Sequence, residues 1–432
     1  DDHFRAENLA ADRAYLDQLK SFLAKLLPRM GGETKDFYAV SLAHLSLLQE
    51  NAPDARKYLA MVSEKANPTI RLQQKLETVW LAIKTQDIQS KSFQETFPEN
   101  IADLERISEP GYDNCQMLYT LTLSLANEYH KKNERVYANL LQLKSNDYRS
   151  RSNDAEDDED YGYKVSYQEY AYPSIAYFEF NSTVADVDRL ITLLQKKNRT
   201  AFETYLLDQP LASVDVYRDL KGTLAFRNND LQTAYETFAS MPGDFWQSRN
   251  GLSSADYLNE DPFVPKGLGK DLDREFDYKF NKAEFVKQLI HLQKQAETDK
   301  KADSYIQLGN AYFNTSYFGN AWMMTRYGWS VSDLYYTKTD CLPQWMRDYM
   351  TSAIARTCFE KALAASPTDE QRAYASVMLY MIHKNRYEYL SADSDKKAAV
   401  MYGNRFATQY GNTKTYRMYE CPGIRYFLGM VK

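Results

Sequence analysis

The sequence lacks a long apolar run, a CxxC pair and a basic stripe. Without about 20 consecutive apolar residues, no segment is suited to cross a bilayer as a helix. The 53 basic and 59 acidic residues are spread along the chain and give a net charge of -6. A nucleic-acid interface needs clustered Lys and Arg. We therefore expect no transmembrane segment and no nucleic-acid partner.

Histidine and cysteine are scarce, with five and four copies, and they lie far apart. Because HExxH and CxxC spacings are missing, we predict no metal site and no cofactor. The sequence also has no GxSxG or Walker motif, and carboxylate pairs arise by chance among 59 acidic residues. We predict no catalytic residues and a protein that is not an enzyme. An enzyme would need two carboxylates facing each other across a cleft, at ~5 to 10 Å.

Tyrosine is abundant, with 35 copies against 5 tryptophans. A tyrosine buries its ring and keeps its hydroxyl hydrated, so it suits both helix packing and shallow recognition surfaces. Composition alone leaves both interpretations open.

Two spacings indicate helices that are paired into hairpins. Apolar residues recur at intervals of three and four, as in Leu16, Leu19 and Leu23. In addition, a small residue is followed 12 positions later by Ala and 16 positions later by a large residue. Small residues allow paired helices to approach closely, and the large residue fills the gap beside them. The sets are Ala43, Ala55 and Leu59; Gly222, Ala234 and Phe238; and, without the large residue, Ala126 and Ala138.

One further hairpin is interrupted by an insertion. Its first helix contains Gly309, and its second helix contains Ala355 and Phe359. The gap from Gly309 to Ala355 is 46 positions, whereas a tetratricopeptide-type hairpin has a gap of about 12. We therefore predict an all-α protein, an α-α superhelix of tetratricopeptide-like hairpins with an aromatic-rich insertion at about residues 314–350.

Charge patterning suggests where the chain divides. An acidic run at residues 154–160 is typical of a solvated linker. We predict an N-terminal helical-repeat segment at 1–144, an acidic linker at 145–163 and a C-terminal segment at 164–432. The charged helix that begins at Lys282 is expected to present a solvated face.

A family resemblance supports this fold. Asp261-Pro-Phe263, Tyr305-x-x-Leu-Gly309 and Tyr317-Phe-Gly-Asn-Ala-Trp322 resemble the tetratricopeptide-like envelope proteins common in Bacteroidetes, over roughly residues 210–380. Many such proteins are exported or lipid-anchored. The resemblance therefore implies an exported, periplasmic or envelope-associated protein, but it implies no activity. The chain begins at Asp1 rather than Met, as expected when a leader is removed.

The insertion supplies the candidate site, because it holds three of the five tryptophans. Such density suits a hot-spot patch for a protein partner or a stacking surface for sugars. The other interpretation is that the insertion buries these rings as its own core. We predict a non-catalytic scaffold that recognises a protein partner, with a surface glycan-binding protein as the alternative. The predicted binding residues are Tyr312, Tyr317, Trp322, Trp329, Trp345, Asp261 and Phe263.

Overall fold

The protein is all-helical throughout the part of the chain that the structure describes. This computed structural model describes residues 2–106, 114–151, 172–246, 261–264, 281–329, 333, 342–420 and 422–430. Those ranges contain twenty α-helices and no strand, so the all-α prediction is confirmed. The first ten helices are α1 (Asp2–Leu26), α2 (Gly32–Leu48), α3 (Ala52–Leu59), α4 (Pro68–Thr85), α5 (Lys91–Arg106), α6 (Asn114–Lys131), α7 (Arg135–Ser150), α8 (Tyr172–Asn181), α9 (Val184–Gln195) and α10 (Ala201–Leu207). The other ten are α11 (Val214–Arg227), α12 (Leu231–Ala239), α13 (Lys282–Asp299), α14 (Ala302–Asn314), α15 (Gln344–Thr351), α16 (Ala353–Ala364), α17 (Asp369–Leu390), α18 (Asp393–Gln409), α19 (Lys414–Tyr419) and α20 (Pro422–Met430).

Three pairs of helices, α2 with α3, α6 with α7 and α11 with α12, are joined by the same turn. In each turn, one residue lies seven positions after the small residue of the predicted spacing and has a φ of 57°. The next residue donates its N–H to a carbonyl five positions back, as in Asn51 to Ser46 (2.8 Å) and Asp230 to Ala225 (3.0 Å). This left-handed cap with its long-range bond is a Schellman turn. The left-handed residues are Glu50, Asn133 and Asn229.

The fourth pair, α14 with α16, packs like the others although its helices are far apart in sequence. Gly309 on α14 faces the ring of Phe359 on α16, and a Cβ built on Gly309 would lie 2.7 Å from that ring. Gly222 faces Phe238 in the same way. The predicted pairing of a small residue with a large one is therefore confirmed in both hairpins.

The insertion between α14 and α16, residues 315–352, is closed at its base. Ser352 Oγ donates to Ser316 Oγ at 2.9 Å, and the Tyr317 N–H donates to the Tyr349 carbonyl at 3.1 Å. Ser316 lies seven positions after Gly309, where the other hairpins place their left-handed residue. The insertion thus takes the place of the short turn, and its two ends lie side by side where that turn would be.

The chain forms two compact units. The first contains residues 1–165 and 192–211, and the second contains residues 166–191 and 212–432. Residues 145–150 of the predicted linker at 145–163 belong to α7. Residues 152–163 of that linker lie outside the described residues.

Helix α10 is part of the first unit because its aromatic residues complete that unit's core. Phe202, which is fully buried, lies 5.9 Å from the Tyr129 ring and 6.2 Å from the Phe97 ring, measured between centroids. Tyr205 Oη lies 3.3 Å from Thr122 Oγ1. Among the described residues, no helix combines the length and the apolar character that crossing a membrane would require.

Candidate functional site

Four of the predicted binding residues lie in the interior of the second unit, with exposed fractions of 2 to 9%. The Tyr312 hydroxyl accepts a hydrogen bond from Gln293 Nε2 at 2.6 Å, and Tyr317 packs edge-on against Tyr349. The interpretation that the insertion buries rings as its own core applies to Tyr317 and Trp322, and all four residues offer little side-chain surface to a partner. The four are Phe263, Tyr312, Tyr317 and Trp322.

The Asp261-Pro-Phe263 corner is fixed against α14. Asn310 Nδ2 donates to the Phe263 carbonyl at 3.0 Å, and Asn314 Nδ2 donates to the Pro262 carbonyl at 2.8 Å. Asp261 Oδ1 accepts the Phe263 N–H at 2.9 Å, as aspartate does in an Asx turn. Asp261 and Phe263 therefore shape the corner, and the sequence analysis did not anticipate the two asparagines that hold it.

Trp329 and Trp345, the remaining two predicted residues, are half-buried. Trp329 Nε1 donates to the Tyr317 carbonyl at 3.0 Å. The guanidinium of Arg227 lies 4.0 Å from the centre of the Trp345 ring, within the range of a cation–π interaction. Trp345 also stacks on Phe180, with 6.3 Å between ring centroids. Of the predicted rings, these two reach the surface.

Beneath Trp345 lies a group of buried charges. Glu179 Oε1 accepts from Arg227 Nη2 at 2.6 Å, and both side chains are almost fully buried. Arg227 also donates to the carbonyls of Glu179 (2.7 Å) and Thr325 (2.6 Å). Arg326 Nε lies 3.6 Å from the same Glu179 oxygen, and its Nη1 lies 3.4 Å from Asp333. One carboxylate therefore lies between two guanidinium groups.

A second buried carboxylate, Asp219, is linked to the first through Tyr327. The Tyr327 hydroxyl donates to Asp219 Oδ2 at 2.6 Å, and its N–H donates to Glu179 Oε1 at 3.3 Å. Lys282 Nζ lies 2.9 Å from Asp219 Oδ1 and 3.0 Å from Thr223 Oγ1. We call Glu179, Asp219, Arg227, Lys282, Arg326 and Tyr327 the buried charge network. Lys282 is only 1% exposed, so the prediction that its helix begins on a solvated face is wrong at that residue.

Ion pairs within the protein, rather than solvent, neutralise the charges of this network. Burial lowers the pKa of Arg227 and of Lys282, and the adjacent Glu179 and Asp219 carboxylates oppose that effect. Burial also raises the pKa of Tyr327 well above its usual value, with Asp219 adding to the increase. Three cations face three carboxylates once Asp333 is included. Removing any one of these groups would leave a buried charge without its partner, which is strongly destabilising.

The network reaches the surface at one edge, which we call the aromatic–arginine edge: Phe180, Trp345, Arg227 and Arg326. Phe180 is 45% exposed, and the Arg326 guanidinium lies 5.2 Å from its ring centre. Helix α8 supplies Phe180, α11 supplies Arg227, and the insertion supplies the other two residues. The buried ion pairs fix both guanidinium groups beneath the rings, so the edge is preorganised.

A second polar cluster joins α17 to α18. His383 Nδ1 lies 2.7 Å from Asp395 Oδ1, and Arg386 Nε donates to the same oxygen at 2.8 Å. Tyr402 stacks on the imidazole. Burial lowers the pKa of His383 below its ordinary value of 6.5, although Asp395 opposes the effect.

This depressed pKa predicts a pH dependence. Between the folded-state pKa and 6.5, the unfolded chain binds more protons, so stability rises with pH in that range and falls as the pH drops through it. We expect acidification from pH 6.5 to destabilise the wild-type protein more than a His383→Gln variant. Denaturant titrations at several pH values measure this difference. An NMR titration that gave His383 a pKa above 6.5 would contradict it.

Comparisons of the chain with protein-family models, with curated proteins and with solved structures found no match. The described residues contain no group of three or more His, Cys, Asp or Glu side chains placed to hold a metal ion.

Proposed function

We propose that this protein is a non-catalytic scaffold that binds a protein partner at the aromatic–arginine edge. The observation that carries the proposal is the exposed Phe180 ring stacked on Trp345, above two arginines held in place by Glu179. Trp, Arg and other large side chains in a preorganised setting are typical of interface hot spots. A series of helical hairpins is a suitable support, because helical-repeat proteins commonly present binding surfaces.

The geometry favours a protein partner over the glycan alternative. A sugar ring stacks on an open aromatic face, whereas the Arg227 guanidinium already covers one face of Trp345 at 4.0 Å. An apolar side chain of a partner can instead pack against the edge of Trp345 and the exposed part of Phe180. The arginines beneath the rings are buried and neutralised by Glu179 and Asp333, so the rings supply the contact surface, which suits a partner with an apolar anchor.

The proposed location is the bacterial envelope, and the superhelix is the proposed arrangement of the hairpins. The location rests on the resemblance to tetratricopeptide-like envelope proteins described above. The superhelix rests on that resemblance and on the shared turn of three hairpins. Trp329 is proposed as a second contact on the same insertion, since its ring is half-buried.

The test is capture of partners from the native envelope by tagged wild-type protein and by variants. Phe180→Ser is expected to weaken capture of a stoichiometric protein partner by about 30-fold, the loss typical of a hot-spot residue. Its melting temperature should stay close to that of the wild type, because the ring is 45% exposed. Trp345→Ala and Trp329→Ala should also weaken capture.

The matched control is Tyr426→Ser, which removes an aromatic ring that is 71% exposed on α20. This variant should capture the partner as well as the wild type does. Equal capture by the Phe180 and Tyr426 variants would exclude the aromatic–arginine edge as the interface. Binding of envelope polysaccharide that depends on Phe180 and Trp345 would support the glycan alternative instead.

A further inference from the structure

The first unit contains a cleft of about 730 Å³ that the proposed function does not use. Small-molecule sites typically measure ~300 to 1,000 Å³. Helices α5, α6 and α7 and the segment after α10 line it. Lys144 and Tyr148 are buried and form its floor, whereas Glu105 and Asp208 are exposed and form its rim.

The floor carries an ammonium group that is not paired with a carboxylate. Lys144 is 5% exposed, and its Nζ donates to the Asp208 carbonyl at 2.7 Å. The group lies 4.6 Å from the centre of the Tyr205 ring. Among the described residues, no carboxylate comes within ion-pair distance of it. An ammonium group has three N–H donors, so Lys144 retains donors for a ligand in the cleft.

A buried ammonium without a counter-ion is unfavourable unless a ligand or solvent compensates it. Burial lowers the pKa of Lys144, and the nearby carboxylates of Asp208, Glu105 and Asp147 oppose the effect. These three carboxylates line the cleft together with Lys144 without forming an ion pair with it.

The rim has the opposite charge. Arg151 at the cleft wall is paired with Asp147 at 3.1 Å, which leaves Glu105 and Asp208 as the carboxylates of the rim. Glu105 Oε1 accepts the Tyr148 hydroxyl at 2.7 Å and is positioned by it. A simple anion would be repelled at this rim, and a simple cation would be repelled at the Lys144 floor. A ligand with both charges avoids both penalties.

We propose that this cleft binds a small zwitterion of the amino-acid type, whose carboxylate contacts Lys144 and whose ammonium group lies near Glu105 and Asp208. The site is separate from the aromatic–arginine edge, and its residues all belong to the first unit. The carboxylate replaces the missing acceptor at the floor. The ammonium group forms charge-assisted hydrogen bonds at the rim.

Isothermal titration of the full chain with each of the standard amino acids tests the proposal. For each amino acid that binds, the corresponding amine and the corresponding carboxylic acid are titrated as single-charge analogues. We expect saturable binding of at least one amino acid, and weaker binding of both analogues by about tenfold or more, as loss of a charged hydrogen bond predicts. Lys144→Met should abolish the binding. Lys91→Met, which alters a side chain that is 87% exposed, should leave it unchanged.

A rim variant separates binding from folding. Glu105→Gln keeps an acceptor for the Tyr148 hydroxyl, so this variant is expected to fold. It should weaken amino-acid binding, whereas the carboxylic acid analogue should bind at least as tightly as before because one repelling charge is gone. Circular dichroism and the melting temperature verify that each variant is folded. The proposal is overturned if no amino acid binds, if a folded Lys144→Met protein binds normally, or if the carboxylic acid analogue binds as tightly as the amino acid.

Discussion

Replacing Glu179 with leucine is expected to lower the free energy of unfolding of the second unit by about 3 to 5 kcal/mol, as removal of one partner from a buried ion pair does. Glu179 is the carboxylate that Arg227 and Arg326 share, and the three side chains are 0%, 2% and 8% exposed. Without it, two guanidinium groups remain in the interior, and Asp333 pairs with only one of them, Arg326. Water cannot replace the lost charge unless the packing opens.

Tryptophan fluorescence during denaturant titration can measure this loss in one unit. Four of the five tryptophans belong to the second unit, so a Trp80→Phe background removes the signal of the first. The matched control is Glu236→Leu on α12, since Glu236 is exposed and its replacement should change stability by less than about 0.5 kcal/mol. A Glu179→Leu effect below about 1 kcal/mol would show that the network is solvated or compensated in another way.

Replacing Gly309 with alanine is expected to destabilise the protein, which is the opposite of the usual effect of this substitution in a helix. Alanine is normally better than glycine by about 1 kcal/mol in a helix interior. At Gly309, however, the added Cβ would lie 2.7 Å from the Phe359 ring, and Phe359 is fully buried. Overpacking of this kind costs about 1 to 3 kcal/mol, so we expect a net loss.

A second substitution tests whether that contact is the cause. Phe359→Leu shortens the opposing side chain, so the Gly309→Ala/Phe359→Leu double variant should be more stable than the sum of the two single effects predicts. Gly429→Ala on α20 is the control, because a Cβ there meets no atom within 4 Å. That variant should be neutral or slightly stabilised. If the stability losses of Gly309→Ala and Phe359→Leu simply added in the double variant, the proposed steric conflict between the two side chains would be excluded.

The hairpins could be predicted from sequence because their determinants are local and periodic. Ala43, Ala126 and Gly222 each lie seven positions before a left-handed residue and 12 positions before the Ala of the next helix. Close helix packing requires small residues at these positions, so the pattern is visible without coordinates. The same pattern identified the two helices of the interrupted hairpin, and in the structure Gly309 and Phe359 pack together.

The buried charge network could not be predicted in the same way. Its members come from three helices and the insertion, and Glu179 and Arg326 are separated by 147 positions. A sequence with 53 basic and 59 acidic residues gives no sign of which charges are buried, because most charged residues are solvated. At Lys282, the surrounding acidic and basic residues indicated a solvated face, but the side chain points at Asp219.

Aromatic density marked the insertion as a candidate site but did not separate its interior from its surface. Tyr317 and Trp322 became core, whereas Trp345 reaches the surface beside Phe180. Phe180 was not among the predicted residues, because it lies outside the insertion and carries no spacing signal. Its role depends on the packing of α8 against the second unit's other elements, which is a long-range property.

The assignment of residues 192–211 to the first unit determines how the protein can be divided. A cut at the acidic segment would remove α10 from the first unit, and with it the Phe202 ring that fills the core beside Phe97 and Tyr129. The cleft would lose the wall formed by Leu207 to Pro210. The chain passes between the units three times, so a single break cannot yield two complete halves. A fragment that contained the whole first unit would need residues 1–165 and 192–211 joined by a linker in place of residues 166–191.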